Sequence, residues 1–176
     1  MSLHILYHGT DVESAKNICF DKNINVRIGA KHTGFGTGFY TTDNFEYAAK
    51  WACRKAKVRK SYPAVVTVFF DEEDAEELIE HFSDDLRWAR FVINNRNGLS
   101  YISKIDFKEH NLDSKYEITE GRIADKEVVG ISEELKTKGI MLKSQYDILN
   151  MEYPRQVVFH TCRATDYIKK VFFRKI

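Results

Sequence analysis

Apolar and polar positions fall along this chain in blocks of different period, and each block predicts an element. Residues 3–8 ("LHILYH") are short and apolar-rich, as in a strand. "TDVE" follows, a capping-box pattern that predicts a helix with Thr10 as its N-cap, running to Ile18. Residues 21–38 carry neither period and read as loop. "FYTT" at 39–42 has the aromatic and β-branched make-up of a short strand. Asp43 or Asn44 then caps a helix to about Arg59. Its apolar face is Phe45, Ala48, Ala49, Trp51 and Ala52, and its last turns are basic, as the helix dipole favours. "AVVTVFF" at 64–70 is a nearly continuous apolar run and predicts a buried central strand.

The second half is less regular. "DEEDAEELIEHF" predicts a solvated turn and helix. Ser83 caps an expected helix carrying Leu86, Trp88, Ala89, Phe91 and Val92, and residues 96–114 are polar and irregular. Strands are expected at 116–120, 157–161 and 168–173, with helical segments near 132–138 and 142–150. Strands and helices mix without regular βαβ alternation, which predicts an α+β fold. With two prolines, no repeat and no low-complexity linker, residues 1–176 read as one domain, long enough to bury a core.

Charge narrows the choice of partner. Lys and Arg (27) nearly balance Asp and Glu (26), so no global field argues for a nucleic-acid or acidic partner. The N-terminus lacks a charged n-region, and no apolar run approaches bilayer length, so no signal peptide and no membrane contact are expected. Cys19, Cys53 and Cys162 are odd in number and lack CxxC spacing; they read as reduced thiols of a cytoplasmic protein. His4 and His8 would sit roughly 13 Å apart on a strand, too far to share an ion. No other histidine has ligand spacing, so no metal is expected.

Candidate chemistry centres on "HTGFGTGFYTTD", residues 32–43, where Gly34, Gly36 and Gly38 lead into the aromatic strand. Glycine suits positive φ or close approach to a ligand. The G-x-G-x-G spacing enters a strand instead of opening a helix, so it is not a dinucleotide fingerprint, and no Lys-Ser/Thr follows to make a P-loop. Arg90, Asn94, Asn95 and Arg96 lie near one helix end and read as a structural network under this loop, with a phosphate contact as the alternative.

"YHGT" at 7–10 together with "GTGFYTTD" at 36–43 resembles the ADP-ribosyltransferase fold, in its diphtheria-toxin and poly(ADP-ribose) polymerase branch. The resemblance is closest to a family of small uncharacterised bacterial proteins of this type. "YAAKWA", "WARFVINNR", "GRIADKEV" and "RQVVFHT" extend it in order over most of the chain. It implies a split two-sheet fold with flanking helices, and an enzyme that cleaves the nicotinamide–ribose bond of NAD, its co-substrate. ADP-ribose would pass to a macromolecular acceptor, protein or nucleic acid. A bacterial toxin or effector, with a small neutralising antitoxin-like protein as partner, is part of what it implies.

By the same resemblance, His8 would donate a hydrogen bond to a ribose hydroxyl. Gly9 would meet the nicotinamide carboxamide through its backbone, and Tyr40 would stack on the nicotinamide. Gly36 and Gly38 would let the loop approach NAD, and Thr10 and Phe39 complete the cofactor-binding set. Many relatives carry a glutamate on the late strand; the corresponding position here is Gln156, a neutral amide. Asp125 is the expected alternative source of the negative charge. If no acid serves, the same resemblance implies an inactive NAD- or nucleotide-binding module.

Overall fold

The computed structural model describes residues 3–28, 33–82, 86–98, 109–124 and 154–176. Asp125, Ser83 and the helical segments expected at 132–138 and 142–150 lie outside these residues. In chain order the elements are β1 (Leu3–Asp11), α1 (Val12–Cys19), β2 (Phe39–Thr42), α2 (Phe45–Arg59), β3 (Pro63–Asp71), α3 (Glu72–Ala75), β4 (Ile79–Phe82), α4 (Leu86–Asn97), β5 (Ile118–Arg122), β6 (Arg155–Phe159), α5 (Cys162–Thr165) and β7 (Ile168–Lys175). The α+β expectation holds.

The strands form one seven-stranded sheet, ordered β4-β5-β6-β2-β1-β3-β7, where two separate sheets were expected. All neighbours are antiparallel except β4 and β5. The join is narrow. β1 meets β2 at Tyr7↔Thr42 alone, and that pair links β4-β5-β6-β2 to β1-β3-β7.

Several boundaries differ from the pattern read in the sequence, each for a local reason. β1 keeps pairing with β3 as far as Asp11↔Pro63, so Thr10 stays in the strand and Asp11 caps α1 in its place. The Asp11 carboxylate accepts the Ser14 N–H at 3.1 Å and the Ser14 hydroxyl at 2.8 Å, and its charge pairs with Arg59 at 2.7 Å, which a threonine could not do. Asn44 caps α2 by accepting the Tyr47 N–H, and the helix stops at Lys60 in the left-handed region. The acidic run hides β4: Ile79 and Phe82 are buried and pair with Ile118 and Gly121 of β5. β6 starts at Arg155, immediately after Pro154.

Side chains alternate across the sheet. One face buries Leu6, Phe39, Val66, Val68, Phe70, Val157 and Phe159, with Ala15 of α1 against them. The opposite face carries a helix on each half. α2 lays Ala48 and Ala52 on Val65, while α4 packs Trp88, Phe91 and Val92 with Phe35 and Val158. The join between β1 and β2 lies between those two helix-covered halves.

Candidate functional site

Past Tyr7↔Thr42 the antiparallel register would place His8 opposite Thr41 and Gly9 opposite Tyr40. The pairing stops there instead. The imidazole of His8 takes the place of the ladder, its Nδ1 2.6 Å from the Tyr40 carbonyl oxygen. A carbonyl only accepts, so Nδ1 carries the proton and Nε2 presents a lone pair. The ring also lies over Phe39, centroids 4.5 Å apart.

The His8 pKa is lowered to about 3, first by burial and then by the positive charge of Lys55, against the raising effect of the Tyr40 bond. The ring is enclosed enough for desolvation to dominate its titration, although the residue keeps a partly exposed edge. Neutral His8 thus offers Nε2 as an acceptor with no partner among the described residues. A ligand hydroxyl would donate to it, the reverse of the polarity expected from the resemblance.

Tyr40 works in the same place through a different atom. Its hydroxyl accepts the Phe35 N–H at 3.0 Å and donates toward Gly36 O at 2.6 Å, with Thr33 Oγ1 at 2.7 Å. The Thr33 hydroxyl donates to Gly36 O as well. The phenol therefore ties the glycine loop to β2. Burial pushes its pKa up to about 12, against the hydrogen bonds and the charge of Arg96, so it stays neutral at physiological pH. The residue is half-buried, its ring resting against the Phe35–Trp88 cluster.

The glycines have internal reasons to be glycines. Gly36 sits at φ +82°, where a side chain is strained. A Cβ on Gly9 would lie 1.9 Å from the Ala48 carbonyl oxygen of α2, and one on Gly38 would lie 2.6 Å from Val158 Cγ1. Below the loop, Asn95 donates to Gly34 O and Phe91 O while its Oδ1 accepts the Asn111 N–H. Asn94 donates to Glu109 O and Arg96 to Ala124 O. Of the expected network, Asn94, Asn95 and Arg96 are in place, while Arg90 is exposed. Gly38 also sets the chain against His160, whose Nδ1–H donates to Thr37 O while Nε2 accepts from Thr119. That histidine is a satisfied core residue, its pKa lowered to about 4 by burial.

Gln156 is buried between Thr42 of β2 and Gly121 of β5, on the face that carries Tyr40. Its Nε2 donates to Arg122 O at 3.2 Å, the oxygen that also accepts from Trp88. The amide thus ties two strands together. Thr10 is buried in the β1–β3 ladder. The fold brings His8, Phe39 and Tyr40 into contact, with Gln156 two pairs along the ladder from Val158, the partner of Tyr40.

On the other side of Tyr7↔Thr42 the two halves are joined by charge. His4 Nδ1 lies 3.0 Å from Glu72 Oε2, and Arg155 bridges Glu72 (2.6 Å) and Glu120 (2.5 Å). Glu120 in turn lies 2.9 Å from His81 Nδ1. Burial disfavours the Arg155 charge, but the bonds to Glu120 and Glu72 outweigh it and raise the pKa.

Residues 4–170 match a family model described as "Protein of unknown function (DUF3990)". The chain belongs to this family. No curated protein and no solved structure matches it. In this family member, the sequence pointed to His8, Tyr40 and Asn95 but not to Thr33 or His160, which hold the loop around them. His160 gave no signal because it acts on Thr37 O, 123 residues away, and Thr33 because a lone hydroxyl three residues from Gly36 is an ordinary turn feature. Among the described residues no helix is long and apolar enough to cross a membrane, and no His, Cys, Asp and Glu group could hold a metal.

Proposed function

We propose that this protein binds NAD over the parted edges of β1 and β2, cleaves the nicotinamide–ribose bond and transfers ADP-ribose to a macromolecule. The fold we assign on this reading is of the ADP-ribosyltransferase type, its two half-sheets drawn together at one pair. The observation that carries it is the break in the ladder at His8. There two strand edges part, a neutral imidazole offers an acceptor for a ribose hydroxyl, and the half-buried ring of Tyr40 stands on the adjoining strand.

NAD fits these groups. Its ribose hydroxyls can donate to His8 Nε2, its carboxamide can pair with strand-edge backbone, and its flat ring can lie against Tyr40. The chemistry would be a dissociative displacement, assisted by positioning and by negative charge near the ribose. That charge is assigned to Asp125, with Gln156 orienting the ribose. A protein or nucleic-acid acceptor, a neutralising protein partner and a cytoplasmic toxin or effector role belong to the same proposal.

One observation favours a second reading, a module that binds NAD or a nucleotide without turnover. Gln156 is neutral, buried and already bonded to Arg122 O. Nicotinamide release at saturating NAD separates the two. Release by the wild type, lowered about 100-fold in Asp125→Asn, is expected for the enzyme, taking loss of one oxyanion-hole donor as a guide. NAD binding without release gives the case to the module, and no NAD binding overturns both. Labelled NAD with a cell lysate, separated into protein and nucleic acid, then identifies the acceptor.

A further inference from the structure

Charge is nearly balanced over the whole chain, at +1, but not along it. Residues 50–60 hold six of the 27 Lys and Arg and no Asp or Glu. Arg59 pairs with Asp11 at 2.7 Å, and Lys55 is half-buried. The other four, Lys50, Arg54, Lys57 and Lys60, are exposed, and none forms an ion pair with a described residue. The helix dipole accounts for cations in the last turn of α2, where Lys57 and Arg59 lie. Its effect falls off too soon to account for Lys50 and Arg54, in the middle of the helix.

The helix turns these cations to one side. Ala48, Ala52 and Ala56 are its buried stripe. At about 3.6 residues per turn, positions 50, 54 and 57 fall on the opposite side, one above another. Trp51 and Val58 flank them and are 43% and 84% exposed. The Arg54 guanidinium lies 5.2 Å from the centre of the Trp51 ring. None of these side chains holds α2 on the sheet, which rests on Ala48 and Ala52 with Phe45 and Ala49 beside them. Lys50 and Arg54, Arg54 and Lys57, and Lys57 and Lys60 stand three or four residues apart, where like charges destabilise a helix. The fold gains nothing from such a row, whereas a bound polyanion would relieve its repulsion.

We infer that the outer face of α2 binds a single-stranded nucleic acid, its phosphates on the four cations and a base against Trp51. A single strand offers both groups, a regular row of negative charges and flat bases free to stack on an exposed aromatic ring. An acidic peptide matches the charges but not the indole. A membrane surface matches less well, because an interfacial helix buries a continuous apolar face. The apolar stripe of α2 already lies on the sheet, and Trp51 and Val58 are separate side chains. The inference is independent of the NAD reading, since α2 and the His8 ring lie on opposite faces of the sheet.

The test is binding of a short, labelled single-stranded DNA of mixed sequence, measured between about 50 and 200 mM salt. The wild type is compared with Lys50→Gln/Arg54→Gln/Lys57→Gln and with Trp51→Ala. A control, Lys16→Gln/Lys115→Gln/Lys170→Gln, removes the same charge from exposed positions elsewhere. Every altered side chain is exposed, so melting temperatures should stay near that of the wild type. If four phosphates are neutralised, wild-type affinity should fall about 50-fold over that salt range, and that of the α2 triple variant about threefold. At the lower salt the triple variant should bind more than about tenfold more weakly, and the control near the wild type. Trp51→Ala should bind about fivefold or more weakly through lost stacking. DNA should quench indole emission in the wild type but not in Trp51→Ala, because Trp88, the other tryptophan, is buried. No binding by the wild type at the lower salt, or equal binding by the triple variant, would overturn the inference. An equal loss in the control would also sink it, leaving only overall charge. Unchanged affinity in Trp51→Ala, or poly-glutamate competing as well as DNA, would remove the base contact and with it the choice of nucleic acid. Preference for vesicles of anionic phospholipid over DNA would assign the face to a membrane instead.

Discussion

The two edges of β1 are held in opposite ways. Toward β3 the strand ladders along its whole length, from Leu3↔Asp71 to Asp11↔Pro63. Toward β2 it pairs at Tyr7↔Thr42, with an imidazole on one side of that pair and a chain of charged side chains on the other. A strand with both edges laddered leaves no backbone groups for anything else, since buried peptide groups must be paired. β1 uses one edge to build the sheet and keeps part of the other for side-chain chemistry. On the proposed NAD reading, the ligand would lie on the β2 side.

The largest effect is expected at the laddered half. Gly9→Val should push α2 off β1, because its side chain meets backbone atoms of Ala48 and Ala52 that cannot rotate away. A loss of more than about 3 kcal/mol is expected, beyond ordinary overpacking, read as a fall in the urea midpoint. An unchanged midpoint would mean that α2 does not lie as closely on β1 as described.

The imidazole-held edge should be acid-sensitive. The unfolded chain binds a proton on each histidine near pH 6.5, whereas folded His8 and His160 resist until about 3 and about 4. Their contribution to stability is complete above pH 6.5 and is lost as pH falls toward those values. The slope is about 1.4 kcal/mol per pH unit for each histidine. Urea unfolding of the wild type and His8→Gln between pH 6.5 and 4 checks this. His8→Gln should lose one of the two slopes, and equal slopes would show that His8 is not buried neutral.

A smaller effect sharpens the picture of β2. Tyr40→Phe removes the hydroxyl but keeps the ring, leaving the Phe35 N–H without its partner. The expected cost is about 1–2 kcal/mol, with faster amide exchange at Phe35 and Gly36 and only a modest change in NAD affinity. A large loss of affinity with no change in exchange would mean that the hydroxyl itself serves the ligand.

What the sequence disclosed depended on the range of the forces involved. "AVVTVFF" was legible as a buried strand because its apolar run follows from local composition. β4 was not, because four residues at the end of an acidic run carry too little pattern, and only their pairing with residues 118–121 of β5 makes them a strand. Cap chemistry narrowed α1 to the right neighbourhood, but Asp11 prevailed over Thr10 through Arg59, 48 residues away. His8 and Tyr40 were singled out by resemblance to a motif. Their mutual contact, which sets the polarity of the imidazole, joins positions 32 residues apart. Gly9 looked like an opening for a ligand, and its tight fit against Ala48 appears only when the helix is in place.

β2 has a consequence in time. Its one full partner is β6, and Thr41 meets Val157 across 116 residues of chain. At roughly 5–20 residues per second of synthesis, β2 waits on the order of ten seconds for that partner to be made. β1, α2 and β3 all lie within the first 71 residues and can assemble before then. Stalled chains ending near residue 100 should therefore protect β1 and β3 from protease while leaving β2 open to cleavage; equal protection of all three would refute this order. The β2 edge is thus among the last described parts of the sheet to take shape, and a growing chain on the ribosome carries β1, α2 and β3 well before β2 can find its partner.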